Sequence, residues 1–196
     1  MGKAFKSNLA LVYSVMALLL CSTQASASLT NVVKFSQGEN IAVVSGGMLT
    51  VDVVGDNFTV GPDGAGFSLN WDPTVLQHVS TSFVNPPWNI SSADEANASS
   101  GLIDSIFVGI TALNTNAGSD FGIASFTFNV LGNPGDVTAL ALGNDSFSIG
   151  FLNGVTGLNV NYLDSHVQVV PLPAAVWMFG VGFVGMLGSM KRRKAA

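Results

Sequence analysis

Few side chains in this sequence could do chemistry. Two histidines fall in the body of the chain, His78 and His166, each inside a run of alternating apolar and polar residues. Alternation at period two marks a half-buried strand, so each imidazole reads as a strand side chain rather than a general base or a metal ligand. Serines are plentiful, but none stands in G-x-S-x-G, and no HExxH pair occurs. Oxygen ligands for calcium have more material: Asp52, Asp56, Asn57 and Asp63 form one candidate group, and Asn144, Asp145, Asn153 and Asp164 another. Neither group has EF-hand or repeat-in-toxin spacing, and Asp and Asn equally favour turns. No cofactor or metal ligand is therefore assigned, calcium stays a subsidiary expectation, and with no catalytic residues to build a site the chain is read as non-enzymatic.

The elements that would position these residues are strands. At 196 residues, 48% hydrophobic, 10% charged and with 22 glycines, the chain is too apolar for disorder, too poor in charge for long exposed helices, and rich in turn formers. Alternation recurs in NVVKF, IAVV, MLTVDVV (Met48 to Val54), GFSLNW (Gly66 to Trp71), VLQHVSTSF, LIDSIFVG and SFTFNV (Ser125 to Val130). TALAL (Thr138 to Leu142), SFSIGF (Ser146 to Phe151), LNVNYL (Leu158 to Leu163) and HVQVV (His166 to Val170) continue it. Turn signals separate these runs, among them Gly61-Pro62-Asp63-Gly64 and Gly132-Asn133-Pro134-Gly135. The one long stretch without alternation, Asn85 to Ser100, reads as a short helix or a loop. The expected fold class is all-β, an antiparallel sandwich or jelly roll over residues 28–170.

Charge is partitioned along the chain. All twelve acidic residues lie between Glu39 and Asp164, with Lys34 the one basic residue of the body, which leaves that body near −11. Such a surface argues against nucleic acid or anionic lipid as a partner. The other basic residues flank two apolar runs. Lys3 and Lys6 precede Leu9 to Leu20, and Ala25-Ser26-Ala27 offers small-x-small cleavage, so residues 1–27 read as a signal peptide cut after Ala27. Lipoprotein processing at Cys21 is the rival, but Leu20 stands where that pathway wants a small residue. Cleavage after Ala27 removes Cys21, leaving a mature chain without a thiol.

At the other end, residues 171–196 hold Pro171-Leu172-Pro173, the uncharged 17-residue span Ala174 to Met190, and the basic stop Lys191, Arg192, Arg193 and Lys194. A helix over 174–190 would be about 25 Å long, just enough to cross a membrane, and the basic stop would stay cytoplasmic with the body facing outward. The motif Val170, Pro171, Leu172, Pro173, Ala174 and Ala175, followed by the span and the basic end, resembles the PEP-CTERM sorting domain in its VPLPA variant. The resemblance implies recognition of the tail by an exosortase, a membrane-embedded cysteine protease of Gram-negative bacteria that make exopolysaccharide. Leu172 stands where the name-giving signature has Glu, which leaves the exosortase subtype open. A permanent membrane anchor is the alternative for the same residues.

A second resemblance lies in the body. In Gly66 to Val79, GFSLNWDPTVLQHV, an alternating strand ends in an aromatic-Asp-Pro turn and resumes with a Val-Leu pair, which resembles cohesins; Ser45 to Phe58 and Phe121 to Gly132 resemble other strands of that family. Asp72 is placed to bond nearby backbone amides and Leu76 to re-enter the core. The resemblance implies a cohesin-like sandwich. The resulting expectation is an exported, non-enzymatic envelope or extracellular-matrix protein, passing through an inner-membrane-anchored intermediate facing the periplasm to the cell surface or beyond. Its expected partners are an exosortase-type protease and exopolysaccharide or another surface protein. The alternative is a glycan- or protein-binding module of cohesin-like fold.

Overall fold

The alternating runs fold as strands because each places its apolar positions on one side, where a second sheet covers them. The computed structural model describes residues 29–112, 115–147 and 149–172. In chain order the strands are β1 (Val32–Phe35), β2 (Asn40–Val44), β3 (Met48–Asp56), β4 (Gly64–Asn70), β5 (Leu76–Phe83), β6 (Ile90–Asp94) and β7 (Leu102–Gly109). They continue as β8 (Phe121–Val130), β9 (Val137–Gly143), β10 (Phe151–Asn153), β11 (Thr156–Leu158), β12 (Asn161–Tyr162) and β13 (Ser165–Val170). A 3-10 turn, Ala98–Ser100, sits between β6 and β7.

Two sheets form. The first has the order β12-β1-β3-β8-β5. The second is organised around β4, which pairs with β7 along one edge and with β10 and β9 along the other; β6 extends it beyond β7, and β13 and β2 beyond β9. Two parallel pairings tie the sheets together. Val32 and Val33 of β1 lie beside Asn161 and Tyr162 in the first sheet, and Ile41 to Val44 of β2 lie beside Val167 to Val170 in the second. The segments β1–β2 and β12–β13 thus pass as a pair from one sheet to the other and close that side of the sandwich.

Alternation sets what is buried. In β3, Leu49, Val51 and Val53 point inward, and in β8 Ile123, Phe126 and Phe128 do the same. Against them pack Phe67 and Leu69 of β4, Ile103, Ile106 and Val108 of β7, Leu140 of β9 and Val167 of β13, all fully buried. Removing such apolar surface from water contributes about 25 cal/mol per Å². No thiol or metal is needed to explain a core of this extent.

Three expectations about local structure are corrected. The stretch Asn85 to Ser100 is not only loop and helix, because Ile90–Asp94 pairs with β7 as strand β6. Its sequence, ISSAD, carries almost no alternation, and pairing with a neighbouring strand overrides weak local preference. The run SFSIGF is a strand only from Phe151: Gly150 has φ +62°, its carbonyl accepts from the Gly66 amide, and the preceding residues lie over the sheet rather than in it. LNVNYL breaks into β11 and β12, the second joining the opposite sheet.

Candidate binding face

The aromatic-Asp-Pro corner is structural. Trp71 Nε1 donates to the Leu76 carbonyl at 2.8 Å, Asp72 Oδ1 accepts from the Thr74 amide at 2.8 Å and hydroxyl at 2.6 Å, and Leu76 is fully buried. The bonds from Thr74, hydroxyl first and then amide, hold the Asp72 carboxyl below the usual aspartate range. His78 follows on β5 with its side chain packed against Trp71 and Phe128, and its Nε2 lies 3.0 Å from Thr81 Oγ1 and 3.8 Å from Glu95 Oε1. It is a satisfied strand histidine. His166 is exposed on β13, far along the fold, in a cleft also lined by Lys34, Glu39 and Asp164.

The three carboxylates of the first oxygen-ligand group, Asp52, Asp56 and Asp63, do not converge. Asp52 bonds Ser125 and Gln37 on the outer face of the first sheet, Asp56 pairs with Lys34, and Asp63 accepts from the Gly154 amide at the β10–β11 turn. Asp164 accepts from the Leu142 amide, Asn153 donates to the Gly61 carbonyl, and Asn144 and Asp145 lie over β4. Among the described residues no three His, Cys, Asp or Glu side chains converge to hold a metal ion. The bonds of these residues run to separate turns and strand ends, with Asn57 donating to the Leu29 carbonyl.

Of the sorting residues, Val170 ends β13, and Pro171 and Leu172 follow it as exposed, irregular chain. Pro173, Ala174, Ala175, the span 174–190, the basic stop Lys191, Arg192, Arg193 and Lys194, and the cleavage residues Ala25 and Ala27 lie outside the described residues. Among the described residues no helix is long and apolar enough to cross a membrane.

What sequence reading missed is the outer face of β4, β7 and β6. Inward residues of β4 and β7 go to the core, so Gly64 and Gly66 of β4, and Asp104, Phe107 and Gly109 of β7, point outward. The register sets them in rows: Gly64, Gly109 and Ile90 in one, Gly66, Phe107 and Ser92 in the next, then Asp104 opposite Asp94. The glycines make a low bed. A Cβ on Gly109 would meet Phe107 Cζ at 3.3 Å, and one on Gly66 would meet Ile149 Cβ at 3.0 Å, so the Phe107 ring and the Ile149 side chain lie down on bare backbone. Ile90 is 46% exposed, Ile149 39% and Phe147 74%, which leaves an apolar surface facing solvent on this sheet.

Asn144, Asp145, Ser146 and Ile149 are pinned there by polar groups. Ser68 Oγ donates to the Asn144 carbonyl at 3.0 Å, Asp104 Oδ1 accepts from the Ser146 amide at 3.0 Å, and Asp145 Oδ1 accepts from the Ile149 amide at 3.0 Å. Hydrogen bonds from Ser146, first its hydroxyl and then its amide, together with the Ser105 amide, hold the Asp104 carboxyl below its ordinary value against a small opposing effect of burial. The outer face of the first sheet is more polar. Thr50 and Thr127 are in contact at 3.1 Å and Asn129 donates to Gln77, while the exposed apolar side chains on its strands are Met48 and Val79. Sequence held one signal for the missed face: glycines at alternate positions inside a strand mark a close approach by other groups.

By sequence, the chain matches no protein-family model and no curated protein. By structure it is similar to CaCohA2 in its complex with CaDoc0917, at 11% identity and a TM-score of 0.59, over 72% of this chain and 100% of that one. The fold is cohesin-like. The cohesin of the Coh-OlpC-Doc435 complex from Clostridium thermocellum aligns at 12% identity and TM-score 0.56, over 75% of this chain and 97% of that chain. A type III cohesin module from the ScaE scaffoldin of Ruminococcus flavefaciens aligns at 12% identity and TM-score 0.56, over 74% and 91%. The cohesin-like domain therefore accounts for the described sandwich, and the resemblance carried by Gly66 to Val79 is matched by the architecture around it.

Proposed function

We propose that this chain is a non-catalytic, protein-binding module whose cohesin-like domain docks a partner on the outer face of β4, β7 and β6. The observation that carries the reading is the pair of apolar side chains, Phe107 and Ile149, laid over Gly109 and Gly66 on an open sheet face. A sheet face solvated for its own sake carries mainly polar side chains, the pattern of Thr50, Asp52, Ser125 and Thr127 on the first sheet. The solved cohesins named above include complexes with dockerins, which makes a dockerin-type partner the first to try. In the test, the full-length protein in non-ionic detergent is used to select binders from a displayed random-peptide library. Binders whose affinity collapses in Phe107→Ser support the reading, and binders indifferent to that change, or none, sink it.

Delivery is the second part of the proposal. The tail from Val170 to Ala196, with its Pro-Leu-Pro motif, uncharged span and basic end, supports export followed by handling through a PEP-CTERM/exosortase-type system. The module then reaches the cell surface or an exopolysaccharide-rich matrix. Pulse-chase in strains with and without the exosortase-type protease decides this: the expected result is a loss of mass and a change of location only in its presence, and identical mass and location in both strains refutes it.

A further inference from the structure

We infer that the partner of this face is cationic, presenting Lys or Arg side chains around an apolar anchor. The inference rests on the protein-binding reading above and adds the charge of what is bound. Asp94 of β6 and Asp104 of β7 stand directly opposite each other and both point outward. Like charges placed directly across a strand pair are destabilising, so this arrangement costs the isolated fold something. Asp145 adds a third carboxylate beneath the same surface, 4% exposed and bonded to the Ile149 amide.

Among the described residues no Lys or Arg offsets them. Among the described residues Lys34 is the single Lys or Arg, and it lies in the other sheet, paired with Asp56. His78 faces Thr81 and Glu95, and His166 stands on β13. The carboxyls of Asp94 and Asp104 accept from backbone amides, of Ala96 for the first and of Ser105 and Ser146 for the second, which holds them in place without supplying a counter-charge. Phe107 and Ile149 lie one row away. Apolar centre and negative rim together describe the complement of an amphipathic basic segment, and the net charge of the body near −11 would steer such a segment in from a distance.

The peptides selected on the full-length protein serve as probes, measured by fluorescence anisotropy against wild type, Asp94→Asn, Asp94→Lys, Phe107→Ser and Glu39→Gln, each first confirmed to melt as wild type does. The selected peptides are expected to combine Lys or Arg with an aromatic or aliphatic residue. Their affinity should fall at least tenfold as salt rises from about 0.05 M to about 0.5 M. Asp94→Lys should weaken binding at least tenfold and Asp94→Asn a few-fold, while Glu39→Gln, which removes the same charge elsewhere, leaves it unchanged. Peptides that need Phe107 but are not enriched in Lys or Arg, or ignore both salt and Asp94→Lys, overturn the inference and leave the binding reading standing. Peptides that ignore Phe107→Ser, or a selection with no binders, overturn the binding reading and the inference with it.

Discussion

The ring of Phe121 on β8 lies across the bare Cα of Gly55 on β3, so closely that a Cβ at position 55 would fall 2.2 Å from Phe121 Cζ. The two residues are direct partners in the register, and the ring also meets Phe58 at 5.0 Å and Trp88 at 5.5 Å between centroids. Glycine here is a matter of space. Gly55→Ala should destabilise the domain by about 1–3 kcal/mol through overpacking, read as a lower urea midpoint with an unchanged slope. An unchanged midpoint would show that the Phe121 ring can move aside at no cost.

Trp71 closes the Asp72-Pro73 corner through its indole N–H. Trp71→Phe keeps the apolar ring against Phe128 but leaves the Leu76 carbonyl without its partner. The expected loss is about 1–3 kcal/mol, the cost of an unmade buried hydrogen bond. Thermal unfolding of the variant measures it, and a loss well under that range would mean that water replaces the indole.

Acid should release the segment over β4 before it unfolds the domain. The Asp104 carboxyl is held below its ordinary value by Ser146, so its ionised form is favoured by the fold. The stability this supplies is full above the unfolded-state value of about 4 and disappears as pH falls through the lower folded value. The protection factors of amides around Ser146, with exchange referred to the unstructured-chain rate at each pH, should therefore fall below about pH 4 in the wild type and be low already at neutral pH in Asp104→Ala. Protection factors that stay constant from about pH 7 to about pH 3 would contradict the assignment.

Alkali acts through a different residue. The Tyr162 hydroxyl is pushed up to about 12, first by burial and then by the charge of Asp145. Its phenol stays protonated in the fold at a pH where the unfolded chain ionises, so stability is unaffected below about pH 10 and declines between about pH 10 and 12. Tyr162→Phe should flatten that decline, followed by chemical denaturation across the range. Partial solvent access at Tyr162 keeps the effect modest.

Particular elements show how far the residues alone could lead. LIDSIFVG was legible to the residue as β7, because its apolar positions alternate around a bulge at Ser105 and are bounded by Gly101 and Gly109. The Asp72-Pro73 corner was legible too, since proline cannot continue a strand and Asp bonds the amide two residues on. By contrast ISSAD and the residues ahead of Phe151 were misread, the first because its pairing with β7 is a long-range contact, the second because Ser68 and Asp104 draw the segment onto the sheet.

By itself, the sequence determined that the body is an all-β sandwich with a thiol-free core and that it is strongly acidic. Alternation, turn chemistry and charge are local or additive properties, readable in order along the chain. The tertiary structure alone decided which carboxylates face one another and which apolar side chains stay outside. Asp94 and Asp104 are ten positions apart, and Gly66 and Ile149 more than eighty; only strand register and sheet order bring each pair onto one face. A one-residue slip in that register would turn every one of these side chains to the other side of the sheet, and no local signal sets it.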